Sequence, residues 1–333
     1  MSELLPTDRS VEAMNAPVAL VAGASRGLGL LIARELLDRG HRVAICARDA
    51  EEVRYAATLL STRGTVRPYV CDVADRDGVQ HLVRQVEDDL GPIEVLISVA
   101  GVIQVGPAES MTLEHFDEAV GTMLWGPVQL AWAVLPSMRE RGHGRIGTIT
   151  SIGGKVAPPH LLPYATAKFG AVGFSEGLAA ELTGTGVTAT TVVPGLMRTG
   201  SHERAMFTGD HGAGYAWFAP SASLPLLSMN AERAARRIVD GVLEGRPHVV
   251  LTPVAKIGIR VHGLVPATTV RAMGLANRLL PDAPHPAHTE TVPGYVADRR
   301  LGSRTVRVLT TLGSRAARRL NQRHGRTGQQ ANP

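Results

Sequence analysis

The sequence predicts an α/β fold in which a doubly wound parallel sheet is followed by a helical C-terminal extension. Three observations favour this class. Apolar runs alternate with segments of helical periodicity over residues 17–252. The runs are rich in Val, Ile, Leu and Ala throughout, as in strands that are buried on both faces of a sheet. A glycine-rich turn joins the first run to the first helical segment.

The elements follow in order along this region. Strands are predicted at residues 18–23, 42–47, 66–71, 94–98, 145–151, 187–193 and 248–252. Helices are predicted at residues 27–39, 51–62, 75–90, 112–140, 162–183 and 231–244. Strands separated by helices of this length require right-handed crossovers, which produce a parallel sheet with helices on both faces. Residues 195–230 lose the periodicity and are predicted to form a long loop over the site.

The rest of the chain is predicted to be accessory. Residues 1–16 form a loose polar leader, 17–252 the main domain, 253–281 an apolar extension, and 282–333 a linker with a basic amphipathic tail. The net charge of +5 comes from that tail, because nine arginines and no acid follow residue 298. Without them the body carries about −4, which argues against nucleic-acid binding.

The cysteines and the apolar runs of the sequence indicate in which cellular compartment the protein is expected. Cys46 and Cys71 lie in or beside apolar runs and are predicted to be reduced thiols, without a disulfide or metal-binding pattern. The sequence has no run of 18 apolar residues and no signal-peptide pattern, so a cytoplasmic protein is expected.

The glycine-rich turn predicts a dinucleotide site, since it follows a strand and opens a helix whose N-terminus favours phosphate. Its predicted contacts are Gly23, Ser25, Arg26, Gly27, Leu28 and Gly29. Arg48 directly follows the second strand, at a position where an NAD site usually has an acid. Arg26 and Arg48 could clamp a 2′-phosphate, so we expect NADP, with NAD as the alternative because Asp49 follows.

A second motif carries reaction chemistry. Ser151 is followed thirteen positions later by Tyr164, and four positions after that by Lys168. Tyr164 and Lys168 share one helix face, where an ammonium would lower the pKa of the phenol and prepare it for proton transfer.

With the glycine-rich turn and Pro194-Gly195, these residues resemble the short-chain dehydrogenase/reductase family over about residues 16–252. The resemblance implies a Rossmann fold and NAD(P)-dependent interconversion of alcohols and carbonyls. It implies that Ser151 holds the substrate oxygen, Tyr164 is the acid/base and Lys168 bonds the nicotinamide ribose. Further cofactor contacts implied by the family pattern are Asp72, Val73, Ala100, Gly101, Pro194, Gly195 and Thr199.

Two departures affect the expected proton path. Val99 and Met123 stand where the family usually has asparagines, the second of which normally holds a water that links the lysine to solvent. Three interpretations are open: a relay through Thr122 or Thr150 with water, slow turnover, or a non-catalytic NADP-binding sensor or scaffold.

The substrate is expected to be lipophilic. Ile152, Leu161, Met197 and Met206 are the predicted pocket residues, with the aromatics of residues 195–230 around them. The alternative is that those residues pack the loop itself. His160 and His202 are further residues that could touch a substrate.

Partners are expected on two surfaces. The apolar extension and basic tail could form an anchor on an anionic membrane, or an arm packed on the body with its arginines solvated. The family commonly pairs through the helices that correspond to residues 112–140 and 162–183, which implies a homo-oligomer.

Overall fold

The computed structural model describes residues 16–225 and 227–323. Residues 1–15 of the predicted leader and residues 324–333 of the predicted tail lie outside them. The strands are β1 (Val18–Ala22), β2 (Arg42–Ala47), β3 (Val66–Val70), β4 (Ile93–Ser98), β5 (Gln104–Val105), β6 (Gly144–Ile149), β7 (Val187–Val193), β8 (Met197–Arg198), β9 (Met206–Phe207), β10 (Met229–Asn230), β11 (His248–Val250) and β12 (Val292–Pro293).

Seven of these strands form the predicted parallel sheet, in the order β11-β7-β6-β4-β1-β2-β3. Every residue of β1 is buried, because helices cover both of its faces. The chain runs outward from β1 through β2 to β3, then returns to place β4 on the other side of β1. This reversal opens a crevice at the carboxyl ends of β1 and β4, which is where ligands of such sheets bind.

The helices are α1 (Gly27–Leu37), α2 (Ala50–Leu60), α3 (Arg76–Leu90), α4 (Leu113–Val120), α5 (Gly126–Arg141), α6 (Leu162–Glu181), α7 (His211–Ser221), α8 (Ala231–Leu243), α9 (Pro253–Leu264), α10 (Pro266–Asn277), α11 (Gly294–Leu301), α12 (Arg304–Leu309) and α13 (Thr311–Arg319). One core lies between the sheet and helices α1, α2 and α8. A second lies between the opposite face and helices α3, α5 and α6. The doubly wound class is therefore confirmed.

The predicted helix at residues 112–140 is interrupted. A π-helical turn at Gly121–Trp125 separates α4 from α5, and Pro127 opens α5. A single π turn inside a helix shifts the side chains that follow, and such turns are frequent at functional sites. Here it carries Met123 into the interior, where only 1% of that residue is exposed.

Residues 195–230 are not the unstructured loop that the lost periodicity predicted. They contain α7 and short strands, and their aromatics form a separate core with α11. Phe207 contacts Tyr215 and Phe218 edge-on, with ring centroids 5.6 and 5.9 Å apart. These rings pack on one another within residues 195–230, which is the alternative to a substrate pocket given above.

The C-terminal part is also more ordered than expected. Helices α9 and α10 form a hairpin over the predicted apolar extension, and β12 and α11 fill part of the predicted linker. The predicted basic amphipathic tail contains two helices, α12 and α13. Gly313 and Ala317 of α13 are buried against the body while its arginines face solvent, so this helix is a packed arm. Within the described ranges, no helix is long and apolar enough to cross a membrane.

Candidate active site

A cavity of about 840 Å³ lies in the crevice at the strand ends. It runs from the glycine-rich turn to the Ser/Tyr/Lys set, with the segment after β7 along one side. Most of the predicted site residues line it, namely Gly23, Ser25, Arg26, Gly27, Leu28, Gly29, Arg48, Asp72, Val73, Ala100, Gly101, Ser151, Tyr164, Lys168, Pro194, Gly195, Met197, Thr199 and Met206.

The glycine-rich turn owes its shape to close backbone approaches. Gly23 has a φ of +87°, and a Cβ on it would lie 2.5 Å from the backbone N and Cα of Ala100. A Cβ on Gly29 would lie 2.1 Å from the carbonyl oxygen of Gly23. The turn therefore brings the start of α1 against the ends of β1 and β4, where backbone N–H groups can face an anion.

Arg26 is not free in this turn. It forms an ion pair with Glu52, whose side chain is 3% exposed and also pairs with Arg204 at 2.8 Å. Burial lowers the pKa of Arg26, and the charge of Glu52 opposes that shift. The sequence reasoning missed Glu52 and Arg204, because 152 residues separate the two and nothing local links them.

Arg48 is the more accessible of the two predicted arginines. Its side chain is 54% exposed, and its nearest acids, Asp72 and Glu118, each lie 3.9 Å away. Exposed pairs at that distance contribute little, so the guanidinium can reorient toward a ligand.

The predicted catalytic residues lie on α6 and in the loop after β6. Tyr164 and Lys168 lie one turn apart on α6, and Lys168 Nζ is 5.9 Å from the centre of the Tyr164 ring. Lys168 is 5% exposed and donates a 2.7 Å hydrogen bond to the carbonyl oxygen of Ile149. Burial lowers its pKa to about 8. Ser151 lies at the end of β6, and its Oγ accepts a hydrogen bond from the backbone N–H of Gly153 at 3.0 Å.

The pKa of Tyr164 is raised, not lowered as the i, i+4 spacing predicted. Burial is the larger cause, and a hydrogen bond with Ser151 acts in the opposite direction. The prediction failed because it counted the charge of Lys168 but not the loss of water around the phenol. The Tyr164 phenol is therefore protonated at neutral pH.

Met123 fills the position of the missing asparagine with an apolar contact. It packs with Ala119, Ala167 and Tyr164, and its sulfur is 3.4 Å from where a Cβ of Gly101 would lie. Of the two threonines considered as replacements, Thr150 donates its hydroxyl to the carbonyl oxygen of Val192 at 2.6 Å. Thr122 precedes Met123 and lines the cavity.

The predicted substrate residues divide into two groups. Met197 and Met206 line the cavity. Ile152 and Leu161, both described, lie outside its lining, and Leu161 is buried in the aromatic core of residues 205–218. Three lining residues from the predicted linker, Thr291, Pro293 and Tyr295, were missed because no local pattern marks them.

His160 and His202, the two histidines considered as substrate contacts, do not line the cavity. His160 has a φ of +63° and packs edge-on against Trp217, with ring centroids 6.1 Å apart. His202 is fully buried, and burial lowers its pKa to about 4, so it is neutral at physiological pH. Neither His160 nor His202 therefore contacts the cavity described above.

Known proteins resemble this chain in sequence and in fold. Residues 17–206 match the family described as short chain dehydrogenase. A putative ketoacyl reductase from Streptomyces coelicolor is 40% identical over 185 residues, which are 55% of this chain and 71% of that protein. Human 17-beta-hydroxysteroid dehydrogenase 13 is 27% identical over 267 residues, 79% of this chain and 82% of that one. A crystal structure of an actinorhodin polyketide ketoreductase variant with NADPH superposes with a TM-score of 0.64 at 30% identity, covering 71% of this chain and 95% of that one.

Proposed function

Because the chain belongs to the short chain dehydrogenase family, we propose that it is an NADP(H)-dependent oxidoreductase that interconverts a carbonyl and a secondary alcohol on a lipophilic small molecule. One observation carries the proposal. Ser151, Tyr164 and Lys168 line the same cavity as the glycine-rich turn, so a dinucleotide and a second molecule would meet at the phenol.

The residues of the turn fit the cofactor. The N-terminus of α1 faces the cavity, and Gly23 and Gly29 leave no side chain between the backbone and a bound phosphate. Arg48 can bind the 2′-phosphate that distinguishes NADP, while Arg26 is held by Glu52. The ketoreductase structure that contains NADPH supports this choice. When bound, NADPH supplies a hydride, and NADP⁺ accepts one in the reverse direction.

The protein's own groups handle the oxygen and the proton. Ser151 and Tyr164 are within hydrogen-bonding reach of each other, so both hydroxyls can donate to one carbonyl oxygen. The raised pKa keeps Tyr164 protonated at neutral pH, and it gives its proton to the oxygen as the alcohol forms. Lys168, held by the carbonyl of Ile149, then stabilises the phenolate. Thr122 lines the cavity beside Met123 and is the group we assign to returning the proton through water.

The lipophilic substrate class rests on the cavity wall. Val102, Ile103, Met197 and Met206 line the cavity and offer apolar surface. Two of the similar proteins are named as a 17-beta-hydroxysteroid dehydrogenase and a polyketide ketoreductase, which supports a lipophilic substrate class. A non-catalytic sensor is disfavoured, because it would have no need for three reacting side chains at one cavity.

Absorbance of NADPH with a panel of apolar ketones tests the proposal. Tyr164→Phe removes the proton donor and should reduce turnover about 10²–10⁴-fold while NADPH still binds. Tyr69→Phe is the control, because Tyr69 lies on β3 and bonds Asp89 at 2.9 Å, away from the cavity. Turnover of Tyr164→Phe equal to that of the control would contradict the assigned role.

A further inference from the structure

The hairpin of α9 and α10 presents an apolar surface that the body leaves uncovered. We call residues 253–281 the apolar hairpin. None of the residues of α10 is buried, and only Ala255 of α9 is. Large apolar side chains are exposed along the whole hairpin, namely Val254, Ile257, Val261, Leu264, Val265, Val270, Leu275 and Leu279. Leu264 and Leu279 are 81% and 87% exposed. A patch of this size on a protein surface normally has a partner.

The charges of the hairpin indicate which partner. Residues 253–281 contain Lys256, Arg260, Arg271 and Arg278 and no aspartate or glutamate. Apolar side chains among cations are the pattern of helices that lie in the interface of an anionic membrane. A second copy of the chain is a poorer match, because a twofold contact would bring these cations against themselves.

The position of the hairpin is consistent with a lipophilic substrate. Its helix α9 follows β11 directly, and a Cβ on Gly258 would lie 3.7 Å from Ile152 Cδ1, in the turn after Ser151. The membrane-facing surface would therefore lie beside the catalytic loop. By contrast, the tail helix α13 has already buried its small residues against the body.

We propose that the apolar hairpin docks the protein on an anionic lipid surface. Flotation with phosphatidylglycerol vesicles tests this, using the full-length protein. The wild type should float, and Leu264→Glu with Leu279→Glu should lower the bound fraction about tenfold, as should high salt. Both positions are exposed, so the fold should tolerate the change.

Val308→Glu is the matched control, since Val308 is 72% exposed on α12 in the tail. Loss of flotation by this variant alone would locate the contact in the tail and overturn the proposal. A wild type that stays in the bottom fraction with vesicles present would also overturn the proposal. It would likewise be overturned if the wild type is an oligomer without lipid and the hairpin substitutions dissociate it.

A separate observation concerns the end of the described chain, which lies in the cofactor cleft. Gly200 has a φ of +76°, and a Cβ on it would lie 2.4 Å from Ala317 of α13. This close approach directs residues 320–323 onto the glycine-rich turn. We call these four residues the latch.

The latch uses groups that a dinucleotide phosphate would need. The backbone N–H of Gly27, at the start of α1, donates to the carbonyl oxygen of Leu320 at 2.8 Å. Asn321 Nδ2 donates to the carbonyl oxygen of Ser25 at 2.8 Å. Gln322 Nε2 lies 2.8 Å from where a Cβ of Gly27 would be, and donates to the carbonyl oxygen of Thr199 at 3.3 Å. A peptide oxygen thus accepts from an N–H at the helix N-terminus that a bound phosphate would use.

Ion pairs fasten the latch. Arg323 pairs with the buried Glu203, with Nε to Oε2 at 2.9 Å, and Arg204 donates to the carbonyl oxygen of Gln322 at 2.6 Å. Arg204 also binds Glu52, the partner of Arg26. An incoming pyrophosphate would compete for the same arginines and for the N–H of Gly27.

We infer that the latch is an autoinhibitory element that must leave the turn before the cofactor binds. This inference rests on the proposed NADP function. Titration of NADPH fluorescence should give a dissociation constant about 3- to 10-fold lower for Asn321→Ala with Arg323→Ala than for the wild type, since two latch contacts are lost. Arg318→Ala, an exposed arginine of α13, should leave it unchanged.

Hydrogen exchange gives an independent readout. Amides of residues 311–323 should exchange faster when NADPH is added. Weaker NADPH binding by the double variant, or slower exchange, would mean that the latch completes the cofactor site. Unchanged NADPH binding would mean that the latch does not compete with the cofactor. Either result would overturn the inference. Failure of both wild type and variant to bind NADPH would overturn the proposed function instead.

Discussion

At the residue scale, Lys168 shows how burial changes the protonation of an amino group. It is an amino group enclosed by protein, with the carbonyl of Ile149 as hydrogen-bond acceptor at 2.7 Å. Enclosure disfavours the ammonium, so its pKa falls from 10.5 to about 8. Between these values the folded protein releases a proton that the unfolded chain keeps, so this lysine makes stability rise with pH across that interval.

This gives a prediction for Lys168→Met. The melting temperature of the variant minus that of the wild type should be largest below pH 8, where the wild type holds a buried charge, and should decrease as pH rises toward 10.5. Thermal melts from pH 7 to 10 measure it. Lys256→Met, at an exposed lysine, is the control for the loss of a lysine side chain. If the melting-temperature difference for Lys168→Met does not change with pH, burial does not lower the pKa of Lys168.

Arg48 is the residue on which cofactor choice should depend, since Arg26 is committed to Glu52. Arg48→Asp should lower the preference for NADP over NAD by about tenfold or more, because a charge-assisted bond to phosphate is replaced by repulsion. Ratios of kcat/KM for the two cofactors measure it. Arg63→Asp is the control, because Arg63 pairs with Asp38 at the opposite end of the sheet. An unchanged ratio in the Arg48 variant would reject the 2′-phosphate assignment.

The glycine-rich turn acts as an element, and its geometry depends on two absent side chains. Gly29→Ala would force a Cβ to within 2.1 Å of the backbone oxygen of Gly23. We expect a loss of at least about 1–3 kcal/mol in the free energy of unfolding, together with loss of NADPH binding.

Denaturant unfolding measures this change, and Gly274→Ala is the matched control. Among the described residues no heavy atom lies within 4 Å of a Cβ at Gly274, which is inside α10. There the substitution should stabilise by up to about 1 kcal/mol through helix propensity. Equal effects at the two positions would contradict the role assigned to the turn.

The π-helical turn at Gly121–Trp125 is the element that distinguishes the proton path of this protein. It places Met123 against Tyr164 and leaves Thr122 at the cavity. A thioether cannot donate a hydrogen bond, so the group behind Lys168 differs in kind from an amide. Under the proposed function, Ser151, Tyr164 and Lys168 keep their roles at the phenol, and we assign the return of the proton to Thr122.

At the scale of the whole molecule, α5 and α6 expose large apolar rings. Trp132 is 60% exposed and Phe169 is 40% exposed. These helices are the ones through which the family commonly pairs, so we propose that the protein is a homo-oligomer through this face.

Trp132→Glu should dissociate that oligomer, because it places a charge at the centre of the proposed contact. Sedimentation velocity of wild type and variant measures it. Leu59→Glu, at a residue of α2 that is 45% exposed, should keep the wild-type assembly. A monomeric wild type would reject the proposal.

The sequence by itself determined the sheet and the order of the helices, and it predicted a set of site residues of which most line one cavity. It could do so because apolar periodicity and glycine-rich turns act over a few residues, and because the resemblance to the family carried Ser151, Tyr164 and Lys168. It failed for the raised pKa of Tyr164, since burial depends on every element that encloses the phenol. It did not show that Ile152 and Leu161 lie outside the cavity lining, or that the aromatics of residues 195–230 pack on one another.

Only the tertiary structure decided what the C-terminal part contacts. Glu52 and Arg204 are 152 residues apart, and Ser25 and Asn321 are 296 apart, yet each pair is bonded. Contacts over such separations leave no periodic trace in a sequence, because they depend on the summed packing of the elements between them. For the same reason, the sequence predicted the glycine-rich turn but could not show that the backbone N–H of Gly27 would donate to the carbonyl oxygen of Leu320.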